Sequence, residues 1–310
     1  MSQEVARALK PDDLIFNEIM YQPLTDNQDG FPDQSEYIEI YNRRPYAISL
    51  EGIYLHNEPN NSGNYTVMSP VSSVQKWIPS NGYLLLYPEM NSLNFNESRV
   101  ASFFNLSEDE NMIPLRFERN SLSLPTVGRK IFLADSTGKT IDWIDYSPDW
   151  HNPNLIDHRG VALERINPDI KTNDPLNWSS SANIEGGTPG KLNSLYQTPE
   201  QISEEQGVYL NPNPFSPDGA GFQDHLFISY KLNEPDYLIR IRIFDRYGRL
   251  VRNLVHGEAA GLEGSYIWDG MTDDGQAGRI GIYIILLEAY NSSAGRSLQF
   301  KETAVLARMF

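Results

Sequence analysis

Apolar positions along this chain recur every second residue or in short unbroken runs, and that pattern predicts strands. Leu14–Met20 is a short, mainly apolar run closed by Pro23. Glu36–Tyr41 alternates polar with apolar or aromatic side chains, the period of a half-buried strand. Ile53–Leu55, Gly82–Tyr87 and Lys130–Leu133 follow, and Asp135–Gly138 turns the chain into Thr140–Ile144, which predicts a hairpin. Loops rich in Asn, Ser and Pro separate the others, notably Asn57–Asn64 and Glu89–Asn111. No window sustains the apolar period of an amphipathic helix. Ser107–Asn111, with Ser107 as cap and Glu110 at the capping-box position, is the one predicted turn of helix.

Between about Ser194 and Gly207 the apolar residues thin out, which predicts a linker. Beyond it the strands are cleaner. Leu226–Tyr230 is one, and Tyr237–Asp245 alternates Ile with Arg, so one face is core and the other wet. Arg246–Arg249 turns the chain into Leu250–Val251; Ser265–Trp268, Ile280–Ala289 and Glu302–Ala307 follow. The run at 280–289 fits a central strand buried on both faces for part of its length. About seven short strands with turn signals between them match an Ig-like sandwich. Gly248 and Gly270 sit where strands must reverse. Trp178 and Trp268 are expected to cap core ends with their N–H groups partnered.

At 310 residues, two domains are the natural prior. The net charge of −16 argues against nucleic acid as a partner, since a polyanion needs a cationic face. Residues 1–200 hold 15 Lys/Arg against 27 Asp/Glu, and 201–310 hold 10 against 14, so the front half carries most of the acidity. The absence of cysteine excludes disulfides, thiolate metal sites and a cysteine nucleophile. No apolar run is long enough to span a bilayer. Met1–Lys10 is polar and lacks a signal-peptide core, so an exported form is expected to have lost its leader.

Three early segments, Asn17-Glu18-Ile19-Met20, Glu36–Asn42 and Ile48–Leu55, resemble the opening strands of the bacterial lamin-tail domain. Gly160–Ile166 (with its Leu163-Glu164-Arg165-Ile166), Asn177-Trp178-Ser179-Ser180 and Gly186–Ser194 resemble its close. The resemblance covers residues 12–194, with an insertion at Asn57–Gln75, and implies an Ig-like sandwich without catalytic machinery. Asn213–Asp224, Ile243–Arg252, Trp268-Asp269-Gly270, Gly281-Ile282-Tyr283 and Ala304–Arg308 resemble the Ig-like C-terminal module of secreted Bacteroidota proteins. That module is of the flagellar hook-cap type and often closes type IX secretion cargo; Ala220 stands where its motif has an acid. The resemblance implies export to the cell surface or medium.

Calcium is the cofactor expectation. Thr25–Glu36 places oxygen ligands at EF-hand-like spacing, including Asp29, Asp33 and Glu36, with Gly30 at the bend. Thr25 at position one, Pro32 and the flanking strands depart from the motif, and the alternative is a solvated hairpin loop. Asp218 and Asp224, with Asp269, Asp273 and Asp274 later, form a second candidate whose alternative is a plain Asp-Gly turn. His151 and His158 flank Asn152-Pro153-Asn154 with Asp149 and Asp157 nearby, where a zinc or Asp–His site could be drawn; packing on a sandwich edge is the alternative. No nucleophile elbow or phosphate loop occurs. Arg240 and Arg242 share the wet face of one strand and are expected to pair with acids on a neighbour, or to form a partner-docking patch with Arg246, Arg249 and Arg252.

The resulting expectation is an all-β chain of two consecutive Ig-like antiparallel β-sandwich domains: 12–194 lamin-tail-like, 195–206 linker, 207–310 Ig-like. It is a non-enzymatic, secreted or cell-surface binding or adhesion module. A surface protein or glycan is the expected partner, with the C-terminal domain engaging secretion machinery or the surface. The alternatives are a metal-dependent extracellular hydrolase built on the Asp149–His158 region and an inert spacer.

Overall fold

The computed structural model describes residues 9–25, 33–58, 67–68 (backbone only), 76–108, 111–153, 155, 157–197, 205–219, 223–234, 236–291 and 295–308. The chain divides into two compact units, Met1–Tyr196 and Gln197–Phe310. Among the described residues no helix is long and apolar enough to cross a membrane.

Unit 1 runs β1 Leu14–Met20, β2 Tyr37–Asn42, β3 Ile48–Ser49, β4 Ile53–Asn57, β5 Val67–Met68, β6 Trp77–Ile78, β7 Tyr83–Pro88, α1 Arg99–Phe104, β8 Met112–Phe117, β9 Arg129–Asp135, β10 Thr140–Tyr146, β11 Leu163–Arg165 and β12 Trp178–Ser180. A six-stranded sheet, β12-β11-β1-β2-β7-β8, faces a four-stranded one, β10-β9-β4-β5, and β3 pairs with β6. The core between them gathers Phe16, Ile38, Ile40, Leu84 and Leu86 with Leu55, Ile131, Leu133 and Ile144. The predicted hairpin is β9–β10.

Two features depart from the sequence expectation. β7 and β8 pair in parallel, so the sheet is not wholly antiparallel. Parallel neighbours need a crossover, and the segment between them carries α1. The helix is Arg99–Phe104, capped by the Ser98 side chain on the Ala101 N–H, while 106–108 is irregular and 109–110 lies outside the described residues. Val100, Ala101 and Phe104 pack on Met20, Tyr37, Leu85 and Tyr87, on the face of the six-stranded sheet away from the sandwich core. This cover explains why every residue of β1 is buried.

Unit 2 runs β13 Gly207–Asn211, β14 Leu226–Lys231, β15 Tyr237–Asp245, β16 Leu250–Ala260, β17 Glu263–Trp268, β18 Gly281–Asn291 and β19 Arg296–Leu306. The sheets β13-β14-β17 and β16-β15-β18-β19 are antiparallel throughout and form the second sandwich. Ile239, Ile241 and Ile243 point into the core, as the Ile/Arg alternation predicts. Trp268 is enclosed between Phe215 and Tyr283, at 5.1 and 5.0 Å between ring centroids, and donates Nε1–H to Met271 O at 2.9 Å. Trp178 is likewise buried and donates to Thr172 O at 2.6 Å. Both tryptophans belong to the buried cores, with their N–H groups partnered as expected. Gly248 and Gly270 both have φ of +77°, which a side chain resists.

Candidate functional site

Register places three glutamates side by side on the helix-covered face of the six-stranded sheet. Glu18 of β1 stands opposite Glu39 of β2 on one side and Glu164 of β11 on the other. Directly opposed residues lie roughly 5 Å apart, so three carboxylates share one row, where like charges repel. The alternation of β2 predicts a wet polar face for Glu39; instead Glu18, Glu39 and Glu164 are all fully buried.

The segment 187–195 crosses this face and satisfies the row. Glu18 Oε1 accepts from the Tyr37 hydroxyl at 2.6 Å and the Thr188 N–H at 2.8 Å. The Thr188 hydroxyl lies 3.0 Å from Glu164 Oε1 and 3.3 Å from Glu18 Oε2. Glu164 Oε2 accepts from Ser194 Oγ at 2.7 Å and the Leu195 N–H at 3.2 Å. Glu39 accepts from Asn17 Nδ2 at 2.8 Å and the Gly190 N–H at 2.5 Å. Asn193 Nδ2 reaches the carbonyls of Asn17 and Arg165 at 3.0 and 2.9 Å. The row is therefore a latch that ties the end of unit 1 to its central strands.

Burial dominates the electrostatics. It pushes Glu18 well above the ordinary carboxylate range, reinforced by the negative charges of Glu164 and Glu39. It lifts Glu39 to about 8 against the opposing pull of its hydrogen bonds to Gly190 and Asn17. Neutral carboxyls are what such a site favours, since a buried unpaired charge costs several kcal/mol, order of magnitude.

Close approach makes Gly187 part of the latch. A Cβ there would overlap the Tyr37 hydroxyl and come within 2.7 Å of Glu18 Oε1. Gly187→Ala is expected to destabilise unit 1 by roughly 2–3 kcal/mol, read by urea denaturation.

Behind the latch lies a second buried network. Arg165 donates to Phe16 O at 2.9 Å, Ile170 O at 3.0 Å and Thr172 Oγ1 at 2.6 Å. Thr172 in turn lies 2.7 Å from Asp142 Oδ2, which also accepts the Phe16 N–H at 2.8 Å. Burial raises Asp142 to about 6 while the Arg165 charge opposes the shift, and burial lowers Arg165 to about 10.

The remaining sequence candidates fall as follows. Glu36 accepts from Ser121 Oγ at 2.8 Å and the N–H groups of Leu122 and Leu124 at 2.5 and 3.4 Å, so its carboxylate anchors the 121–124 loop. Asp33 is half-buried just before it, and Asp29 lies outside the described residues. Asp224 Oδ1 accepts the N–H groups of Asp218 and Gly219, both at 3.0 Å, and closes the Asp-Gly turn. Among the described residues no group of three or more His, Asp or Glu side chains is arranged to hold a metal ion.

His151 and His158 do come together, stacked at 4.6 Å between centroids with Tyr21 beside both. His151 Nδ1 lies 2.7 Å from Ser180 Oγ, while its Nε2 and the Tyr21 hydroxyl are buried without a hydrogen-bond partner among the described residues. Burial holds His151 down at about 3, so it is neutral at physiological pH. Arg242 pairs with Glu288 on β18 at 2.7 Å, as the strand-face reading expects.

Glu18, Glu39 and Glu164 all lie in the lamin-tail-like motifs, but nothing local in those motifs says that the three meet. The available signal was an acid inside each of three short strands, flanked by isoleucine in β1 and β2 and by Leu163 in β11.

No curated protein matches the chain. Among solved structures it is similar to FlgD from Pseudomonas aeruginosa ("P. Aeruginosa"), at 24% identity over 26% of this chain and 60% of that one, with a TM-score of 0.22. It is also similar to dimeric latent PorU from Porphyromonas gingivalis, at 13% identity over 95% of this chain and 20% of that one, TM-score 0.28. PorZ, a surface component of the type IX secretion system of the same organism, is 12% identical over 94% of this chain and 39% of that one, TM-score 0.23. The chain thus spans between 20 and 60% of the length of these structures. The model of the Lamin Tail Domain family matches residues 8–148, the stretch that supplies Glu18, Glu39 and the whole four-stranded sheet of unit 1.

Proposed function

We propose that the chain is a non-enzymatic module of the cell surface or medium, in which unit 1 offers a rigid sandwich to a protein or glycan and unit 2 serves export or attachment. One observation carries this reading: Glu18, Glu39, Glu164, Asp142 and Arg165, the groups best suited to acid–base work, are fully enclosed and hydrogen-bonded to the backbone and side chains of their own unit. A substrate cannot reach them, and their hydrogen bonds fasten loops. The lamin-tail match over residues 8–148 supports the same reading by fold-level analogy.

Export is tested by deletion. A chain ending at residue 196 is expected to stay inside a cell that exports the full chain; undiminished export removes the role given to unit 2. The stacked His151–His158 pair is the specific observation behind a second reading, a metal-assisted hydrolase. That reading requires stoichiometric zinc or manganese in the purified protein and an activity lost in His151→Ala.

A further inference from the structure

Strand β18 has the composition of a strand covered on both faces, yet its outward face is covered only at the middle, where Leu286 is buried, and lies open at Ile282 and Tyr290. Tyr283, Ile285, Leu287 and Ala289 point into the core. The outward row reads Ile282, Ile284, Leu286, Glu288 and Tyr290, although a sheet face turned to water normally alternates to polar side chains. Ile282 is 50% exposed and Tyr290 53%.

Register extends the apolar row across one end of the sheet. Phe244 stands opposite Ile284, Leu250 opposite Phe244, and Val305 opposite Ile282; Leu250 is 48% exposed. The β15–β16 turn continues from the same end, since Asp245 pairs with Tyr283. Its Tyr247 is 67% exposed and lies beneath two guanidinium groups, Arg246 at 4.7 Å and Arg249 at 5.3 Å from the ring centroid. Arg279 and Arg308 both act electrostatically on Tyr283, so two more cations border this end. The acids Asp245 and Asp273 nearby are each paired, with Arg249 at 2.6 Å and Arg252 at 3.8 Å.

A contiguous apolar patch of this kind marks a contact surface, and Tyr and Arg are the side chains that dominate such contacts. The excess of cations around it, in a chain of net charge −16, sets the charge of what it meets. A polyanion would use the arginines and leave Ile282, Leu250 and Phe244 in water. We infer that this end of the four-stranded sheet of unit 2 docks a protein surface with an apolar centre and an acidic rim. The inference rests on the binding-module reading above and gives it an address.

The test uses the full 310-residue chain and an immobilised random copolymer of glutamate and tyrosine, with polyglutamate and heparin as comparators. Binding to the Glu–Tyr copolymer is expected to be at least about tenfold tighter than to either comparator. Ile282→Ser and Arg246→Glu should each lose about tenfold, while Lys139→Glu on the unit 1 hairpin turn changes nothing. Should Ile282→Ser melt early, Arg246→Glu, on an exposed turn, carries the test alone. Equal binding to heparin, no binding to the copolymer, or indifference to both variants overturns the inference. Sedimentation of the same samples adds one outcome: a wild-type dimer that Ile282→Ser dissolves assigns the face to a second copy and likewise overturns the acidic partner. Loss of export on deleting unit 2 with no effect of either variant leaves the module reading standing and removes this docking face.

Discussion

Glu18→Gln is expected to match the wild type in stability near pH 3 and to exceed it by about 2 kcal/mol or more near pH 9. The reason lies in the hydrogen bonds. A glutamine carbonyl can still accept from the Tyr37 hydroxyl and the Thr188 N–H, and its amide can donate to Thr188 Oγ1, which donates onward to Glu164. The substitution therefore copies the protonated carboxyl and removes only the option of ionising. Glu18 and Glu39 both have folded values above their unfolded ones, so the native state binds more protons. Their contribution is complete below the ordinary carboxylate value and is lost as pH rises towards about 8, where Glu39 ionises. Asp142, raised to about 6, adds a loss in the lower part of that window. Wild-type unit 1 should thus weaken by roughly 5 kcal/mol or more between acidic and mildly alkaline conditions. Urea denaturation across that range, with the variant alongside, reads both effects. A variant less stable at every pH would mean that Glu18 is charged in the native state and that the latch is wrongly described.

Arg165→Met is expected to destabilise unit 1 by roughly 3–5 kcal/mol, against about 0–1 kcal/mol in unit 2 for Arg242→Met. Both arginines have a carboxylate near them, but their surroundings differ. Arg165 is fully enclosed, and its loss removes a donor from the buried carbonyl of Phe16 and from Thr172 Oγ1 and leaves Asp142 buried without a compensating cation. Arg242 and Glu288 are each about a third exposed, and water takes over when the pair is broken. The two units should be followed separately, by the Trp178 and Trp268 environments. Equal losses would place Arg165 in contact with solvent.

Much of this architecture is legible in the sequence because period-two patterning reports a face buried by the next layer. The Ile/Arg alternation of Tyr237–Asp245 and the turn at Asp135–Gly138 appear in the fold as read. β13 was missed because Val208 and Leu210 are too few to stand out from the polar stretch before them. α1 was missed because six residues cannot display a helical period, and its buried side chains merge into a loop-like composition. The fate of Glu39 is the more instructive case. Its position in the alternation says only which face it occupies; whether water reaches that face depends on Thr188–Leu195, about 150 residues further along. The same non-locality hid the meeting of Glu18, Glu39 and Glu164. Glu36, read as a calcium ligand, holds a loop more than 80 residues away, which its place in the sequence does not announce. The stacking of His151 on His158 was within reach, since a seven-residue spacing around Pro153 can fold back on itself.

The central claim is that Glu18 and Glu39 are structural fasteners whose carboxyls burial holds towards the neutral form, and carbon-13 NMR of the glutamate side-chain carboxyls tests it most directly. With Glu18→Gln and Glu39→Gln used for assignment, the account predicts that the Glu39 carboxyl titrates near pH 8 and that the Glu18 carboxyl titrates well above the ordinary carboxylate range. Ordinary carboxylate titration of both, complete by about pH 6, would contradict it.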